Sequence, residues 1–214
     1  MQSKYFDIRN DYNRHNLLRK DLDPSPFWQL KLWLEEALKS GDFLSTAMSL
    51  ATVDSTGQPT QRIVLLKDVS ENGISFFTNY NSSKGSHLAN NPKVSANLFW
   101  PVLERQVRWD GKAVKLPEED SDNYFDSRPR ESRIGAWASP QSEKVSDDKI
   151  LIQRYKDFEK KFHGENIPRP SHWGGYLIIP HKVEFWQGRP NRMHQRFVYS
   201  RQTDGSWEIS QVAP

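Results

Sequence analysis

Apolar residues between positions 27 and 38 recur at helical spacing, with Phe27, Leu30, Leu34, Ala37 and Leu38 on one face. Ser25-Pro26 supplies a cap and a first-turn proline, and Gly41 a stop, so an amphipathic helix is predicted there. From residue 46 the period falls to two. Residues 47–53 and 60–66 flank the turn D-S-T-G-Q-P and predict a strand pair, followed after S-E-N-G by a strand at 74–78. A short helix is expected at 84–90, ended by Pro92. Residues 93–100 and 105–116 read as a second strand pair, with Gly111 as a bulge or bend. Residues 117–163 are helical in character, starting at the acidic turn Pro117-Glu-Glu-Asp, which suits the helix dipole. Within them Ile150, Ile152, Tyr155, Phe158 and Phe162 mark an amphipathic helix. Strands return at 176–179, 183–187, 192–199 and 207–212.

The short turns favour antiparallel pairing, and the helices interrupt the strand series instead of alternating with it. The predicted fold is mainly β with peripheral helices, an antiparallel barrel. Residues 1–25, polar with scattered large side chains, read as an arm that orders only against something else. Residues 26–214 then form a single domain.

Composition narrows the class. A chain of 214 residues with 36% hydrophobic and 27% charged residues can build one good core. The net charge of +3 and absence of a basic tail argue against a nucleic-acid-binding barrel. The chain has no cysteine, which excludes disulfides and thiolate sites and suits a reducing, cytoplasmic setting. The six histidines show no metal-ligand spacing, so no metal is expected. No signal-peptide core or apolar run of about 20 residues points to a membrane. Glycine-rich phosphate loops are missing as well. A phosphorylated ligand would therefore have to be held by Arg and Lys side chains.

Three basic clusters offer such side chains. In R-I-V-L-L-K (62–67), Arg62 and Lys67 close a buried-looking strand. They either reach solvent at its ends or face an anion. In Y-F-D-S-R-P-R-E-S-R-I-G-A-W (124–137), Arg128, Arg130 and Arg133 stand among Tyr124, Ser127 and Ser132, with Gln141-Ser142 close behind. Either this is a solvated helix end or a set of donors for a phosphate monoester. The third, R-M-H-Q-R (192–196), follows E-F-W-Q-G. On an extended strand Arg192, His194 and Arg196 would share one face about 6–7 Å apart. That is costly unless anions fill the space between them, although edge strands also carry charge against aggregation. The neighbouring aromatics suggest a ligand with a planar ring.

These stretches, with F-F-T-N (76–79), N-N-P-K-V (90–94), E-R-Q-V-R (104–108) and the terminal W-E-I-S-Q-V-A-P, resemble the pyridoxamine (pyridoxine) 5′-phosphate oxidase family over nearly the whole chain. The resemblance implies an FMN-binding split barrel working as a homodimer. It implies oxidation of pyridoxamine or pyridoxine 5′-phosphate to pyridoxal 5′-phosphate, with O₂ giving H₂O₂. Hydride would pass from the substrate's C4′ carbon to flavin N5. Arg62 and Lys84 would hold the FMN phosphate. Ile63, Val64, Leu65, Lys67, Phe77, Thr78, Ser83 and Gln106 would line the cofactor, and Gln141, Ser142, Trp186 and Arg196 would come from the second subunit. The substrate phosphate would fall to Lys67, Tyr124, Arg128 and Ser132. Arg192 and His194 would act over the pyridine ring, and Arg9 and Tyr12 would cover it. Two positions depart from the family pattern: Ser83 replaces a basic residue, and Gln195 an aspartate. A flavin oxidase of another ring, as in phenazine biosynthesis, and a non-catalytic FMN-binding barrel are the alternatives.

Overall fold

The structure is a computed structural model and describes residues 11–214. The expected class, mainly β with peripheral helices on an antiparallel split barrel, is the class observed. Nine strands are present among the described residues: β1 (Ala47–Val53), β2 (Pro59–Leu65), β3 (Asp68–Ser70), β4 (Gly73–Asn79), β5 (Lys93–Trp100), β6 (Arg105–Lys115), β7 (Trp173–Gln187), β8 (Gln195–Arg201) and β9 (Trp207–Val212). The helices are α1 (Pro26–Lys39), α2 (Ser83–Asn90), α3 (Glu118–Asp126), α4 (Arg130–Ala138) and α5 (Asp148–Lys161). Strand order is β2-β1-β5-β6-β7-β4-β3, with β8 added on β7 and β9 on β8. The β3–β4, β4–β7, β7–β8 and β8–β9 ladders are antiparallel.

The described residues divide into two compact units. The first holds residues up to 48, 96–110 and 180–214; the second holds 49–95 and 111–179. In the first, α1 buries Phe27, Leu30, Trp33 and Ala37. Leu34 is only half-buried and Leu38 is exposed, so the buried face is rotated toward Trp33 from the one the spacing predicts. The indole decides this. It packs edge-on to Phe185 at 5.1 Å, and the Arg105 guanidinium lies over it at 4.5 Å. Phe27 packs against Trp109 and Trp207, and the Tyr199 hydroxyl donates to the Asp23 carbonyl at 2.7 Å.

In the second unit the core gathers Phe125, Ile134, Phe162, Ile167 and Trp173, with Trp137, Tyr155 and Phe158 packed against it. Ile150 and Ile152 of α5 are exposed, so this helix contributes only its aromatic side to the core. No described helix is long and apolar enough to cross a membrane.

Two local expectations are corrected. Residues 176–187 form one strand, not two. Residues 173–178 of β7 pair with β4 and residues 182–187 with β8, so Pro180 falls between the ladders, where its missing N–H breaks neither. The second correction concerns 192–199. Residues Pro190–Arg192 form a 3-10 turn, with Asn191 and Arg192 at φ 55° and 60°, and the strand starts only at Gln195. Proline opens the turn and two left-handed residues follow, so Arg192, His194 and Arg196 do not form an alternating row. Trp33→Ala should cost about 3–5 kcal/mol of stability by leaving a cavity in the first unit. A melting temperature within about 2 °C of the parent would contradict the packing described for it.

Candidate active site

The second unit contains a cavity of about 970 Å³, at the upper end of the range of about 300–1,000 Å³ usual for small-molecule sites. Strand β2 contributes Arg62, Ile63, Val64 and Leu65, and Lys67 follows it. Strand β4 contributes Phe77, Thr78 and Asn79, and the first turn of α2 contributes Ser83 and Lys84. Tyr124 and Arg128 come from the α3 end, Ser132 from α4, and Gln141 and Ser142 from the loop after α4. Four lining residues are cations, and no Asp or Glu is among the lining residues.

Two of these cations, Lys84 and Arg62, are held by neutral groups. Lys84, 8% exposed, donates from Nζ to Thr78 Oγ1 at 3.0 Å, Gln141 Oε1 at 3.0 Å and Ser82 Oγ at 3.2 Å. Ser82 also caps α2 by accepting from the Gly85 N–H, which fixes the turn that carries Ser83 and Lys84. That turn is tight, and a Cβ on Gly85 would collide with the Tyr80 carbonyl. Arg62 donates through Nη1 to Thr52 Oγ1 at 2.6 Å and to the Leu50 and Thr60 carbonyls, and through Nη2 to Thr60 Oγ1 at 2.7 Å. Burial, then repulsion from Arg62, brings the Lys84 ammonium down to about 8. Burial also lowers Arg62 and Arg128.

Arg128 stacks on the Trp173 ring at 4.5 Å, and its buried Nη1 has no hydrogen-bond partner. A buried, unpartnered guanidinium nitrogen is a donor awaiting an acceptor. Beside it Phe77, Tyr124 and Trp173 form a stack of near-parallel rings, with Phe77 and Tyr124 3.9 Å apart and Lys67 over Tyr124 at 5.8 Å. The arrangement has two cationic centres, Arg62 with Lys84 and Lys67 with Arg128. It fits phosphorylated planar molecules. Arg130 and Arg133 from the same motif are not lining residues. Arg130 donates to the Phe162 and Glu165 carbonyls, and Arg133 faces Asp126 and Asn166.

Gln106, Trp186, Arg192, His194, Arg196 and Tyr12 belong to the first unit and are not among the cavity's lining residues. There Tyr12 packs edge-on to Trp186 and His194, each at 5.6 Å, and Trp186 lies 4.7 Å from His194. The Arg189 N–H donates to His194 Nδ1 at 3.1 Å, which selects the tautomer protonated at Nε2. Burial and then Arg192 lower the His194 imidazole. Arg196 pairs with Glu184, Nε to Oε1 at 3.2 Å and Nη2 to Oε2 at 2.9 Å, and this contact raises its already high pKa. Gln195 accepts from the Leu17 N–H at 2.7 Å and so ties down the described part of the arm. Arg9 lies outside the described residues.

Sequence reasoning missed Glu184, a buried carboxylate next to the motif, and Trp173, the platform for Arg128. The E-F-W run and the Trp before Gly174-Gly175 were the available signals. Gln141 and Ser142, assigned by resemblance to the second subunit's share, line the cavity in the same protomer as Lys84.

Residues 34–161 match the family model for pyridoxamine 5′-phosphate oxidase. The chain belongs to that family. Residues 173–214 match the model of the pyridoxine 5′-phosphate oxidase C-terminal dimerisation region. Among family members, the pyridoxine/pyridoxamine 5′-phosphate oxidase of Nostoc sp. is 48% identical over 208 residues, 97% of each chain. That of Cytophaga hutchinsonii is 47% identical over 215 residues, all of both chains. Among solved structures, PhzG from Burkholderia lata, in complex with tetrahydrophenazine-1-carboxylic acid, has a TM-score of 0.87 at 29% identity, covering 93% of this chain and 98% of that one. A pyridoxamine 5′-phosphate oxidase-related, FMN binding protein from Nostoc punctiforme has a TM-score of 0.71 at 16% identity, covering 90% and 100%, and shares the fold.

The Lys84 environment has a pH signature. An unfolded chain keeps the Lys84 proton up to about 10.5, whereas the folded site releases it at about 8. Between those values the unfolded state binds more protons, so this group makes stability rise with pH. The parent should therefore gain on Lys84→Met, by on the order of 1–3 kcal/mol between about pH 7.5 and pH 10. Urea unfolding at each pH checks this, and a constant difference would contradict it.

Proposed function

We propose that the protein is an FMN-dependent oxidase that converts pyridoxamine 5′-phosphate and pyridoxine 5′-phosphate to pyridoxal 5′-phosphate. The observation that carries the reading is a cavity with four cations, an aromatic stack and no carboxylate among the described lining residues. Two separated cationic centres suit two phosphorylated rings, one cofactor and one substrate. Family membership and the named relatives support the substrate class.

In this reading Arg62 and Lys84 hold the FMN phosphate. The β2 residues Ile63, Val64 and Leu65, with Thr78 and Gln141, line the rest of the cofactor. Lys67, Tyr124, Arg128 and Ser132 hold the substrate phosphate, with the unpartnered Arg128 Nη1 supplying a charge-assisted bond. Arg192 and His194 orient the substrate ring, and Arg196 and Trp186 complete the flavin's surroundings within a homodimer; the matched dimerisation region supports that assembly. FMN, when bound, accepts two electrons from the substrate's C4′ carbon and passes them to O₂. The sum for the amine is pyridoxamine 5′-phosphate, O₂ and water giving pyridoxal 5′-phosphate, ammonia and H₂O₂. The chain's own work is alignment and charge. Phosphates in the cationic centres would offset the repulsion from Arg62 that, after burial, lowers Lys84.

A second reading, oxidation of a carboxylated tricyclic ring, draws on the fold shared with PhzG. The Lys67–Arg128 centre, with Tyr124 and Ser132, weighs toward a phosphate there, because it offers more donors than one carboxylate uses.

The deciding experiment reconstitutes the purified protein with FMN, adds pyridoxamine 5′-phosphate in air, and follows peroxide and aldehyde. Bound flavin without peroxide would favour a non-catalytic barrel, and peroxide only with tetrahydrophenazine-1-carboxylic acid would favour the second reading. Arg128→Ala should keep the flavin spectrum yet lose about 100-fold in kcat/KM, the ~2–3 kcal/mol of a hydrogen bond to a charged group. Arg62→Ala should instead lose flavin. The opposite pattern would exchange the two assignments.

A further inference from the structure

The Arg62 guanidinium ends on two hydroxyls, and those hydroxyls end on a histidine. Thr52 Oγ1 and Thr60 Oγ1 each accept from Arg62, at 2.6 and 2.7 Å, so each must send its own hydrogen elsewhere. His87 Nδ1 lies 3.0 Å from Thr52 Oγ1 and 3.4 Å from Thr60 Oγ1, while the two hydroxyls are 3.5 Å apart. Thr52 is fully buried, which leaves its hydroxyl no exchange with bulk water. With a lone pair on Nδ1, one hydroxyl hydrogen runs to Nδ1 and the other bridges the threonines. His87 sits in the last turn of α2, whose first turn carries Lys84. One short helix thus bears both a cation of the cavity, Lys84, and an imidazole that reaches the hydroxyls holding Arg62.

We infer that His87 is a positioning residue for phosphate recognition, acting through Thr52 and Thr60 to hold the Arg62 guanidinium in one orientation. The network occupies Nη1 and one hydrogen of Nη2. The Nε–H and the second Nη2 hydrogen have no partner among the described residues and are the pair a phosphate can take. Without the lone pair on Nδ1, the Thr52 hydroxyl turns toward Thr60 and the guanidinium loses its fixed seat beside Lys84. The inference rests on the reading of Arg62 as the holder of the FMN phosphate.

The test compares FMN with riboflavin, which lacks the phosphate, by fluorescence quenching on the full-length protein stripped of flavin. His87→Ala should weaken FMN about tenfold and leave riboflavin unchanged. His87→Asn, whose Oδ1 replaces the Nδ1 acceptor, should restore FMN affinity to within about threefold of the parent. A His87→Ala protein that keeps the parent's preference for FMN over riboflavin would overturn the inference, as would an Asn variant as weak as Ala. If His87→Ala loses its fold by thermal melting, Thr60→Val on β2 gives the same measurement, and an unchanged preference there overturns it too. Arg62→Ala separates the two levels. Loss of the preference in that variant alone sinks only the role of His87, whereas its retention there sinks the underlying phosphate assignment.

Discussion

Four cations share one cavity without a carboxylate among its lining residues, and that constraint governs the second unit. Like charges at this density destabilise the fold unless something offsets them, and protein cores usually provide Asp or Glu for the purpose. Here Thr52, Thr60, Thr78, Ser82 and Gln141 take that place, accepting hydrogen bonds without cancelling charge. The cost of burial remains in the site, visible in the lowered Lys84, Arg62 and Arg128. Charge left uncancelled in the protein is available to an anion.

The local geometry follows from that need. Ser82 both caps α2 and accepts from Lys84, so the helix start and the cation are fixed by one hydroxyl. Gly85 is required because the chain passes against the Tyr80 carbonyl, and any side chain there would push the turn out of place. Gly174 and Gly175 act similarly on β7. A Cβ on Gly174 would strike the Tyr80 hydroxyl, and one on Gly175 would strike Phe77 and Leu116. These glycines let the strand approach the aromatic stack closely enough for Trp173 to carry Arg128.

Much of this was legible in the chain. The change of period at residue 46, the S-P helix start and the acidic start of α3 located elements to within a residue or two, because each signal is local. Arg62, Lys67, Lys84, Tyr124, Arg128, Ser132 and Gln141 were singled out as candidates and line one cavity. What failed was non-local. Residues 176–187 read as two strands because the sequence does not reveal that β7 changes partner around Pro180. Trp33 displaced Leu34 and Leu38 from the buried face because Phe185 and Arg105 receive an indole. The row at 192–196 failed for a different reason. Alternation presumes extended backbone, and Asn191 and Arg192 are left-handed.

Arg196 and Arg62 show that two basic motifs of one chain can solve the same electrostatic problem in opposite ways. Arg196 meets Glu184, 4% exposed, through two parallel bonds, and Arg108 approaches the same carboxylate at 3.8 Å. Its charge is neutralised within the protein, and its orientation is set by a fork matched to the carboxylate. Arg62 meets only hydroxyls and carbonyls, so its orientation is set while its charge stays uncancelled. A carboxylate in place of Thr52 would hold the guanidinium more tightly and also compete with any phosphate for it. Orientation without neutralisation requires acceptors that are neutral and themselves fixed, which a threonine pair closed by an imidazole lone pair provides.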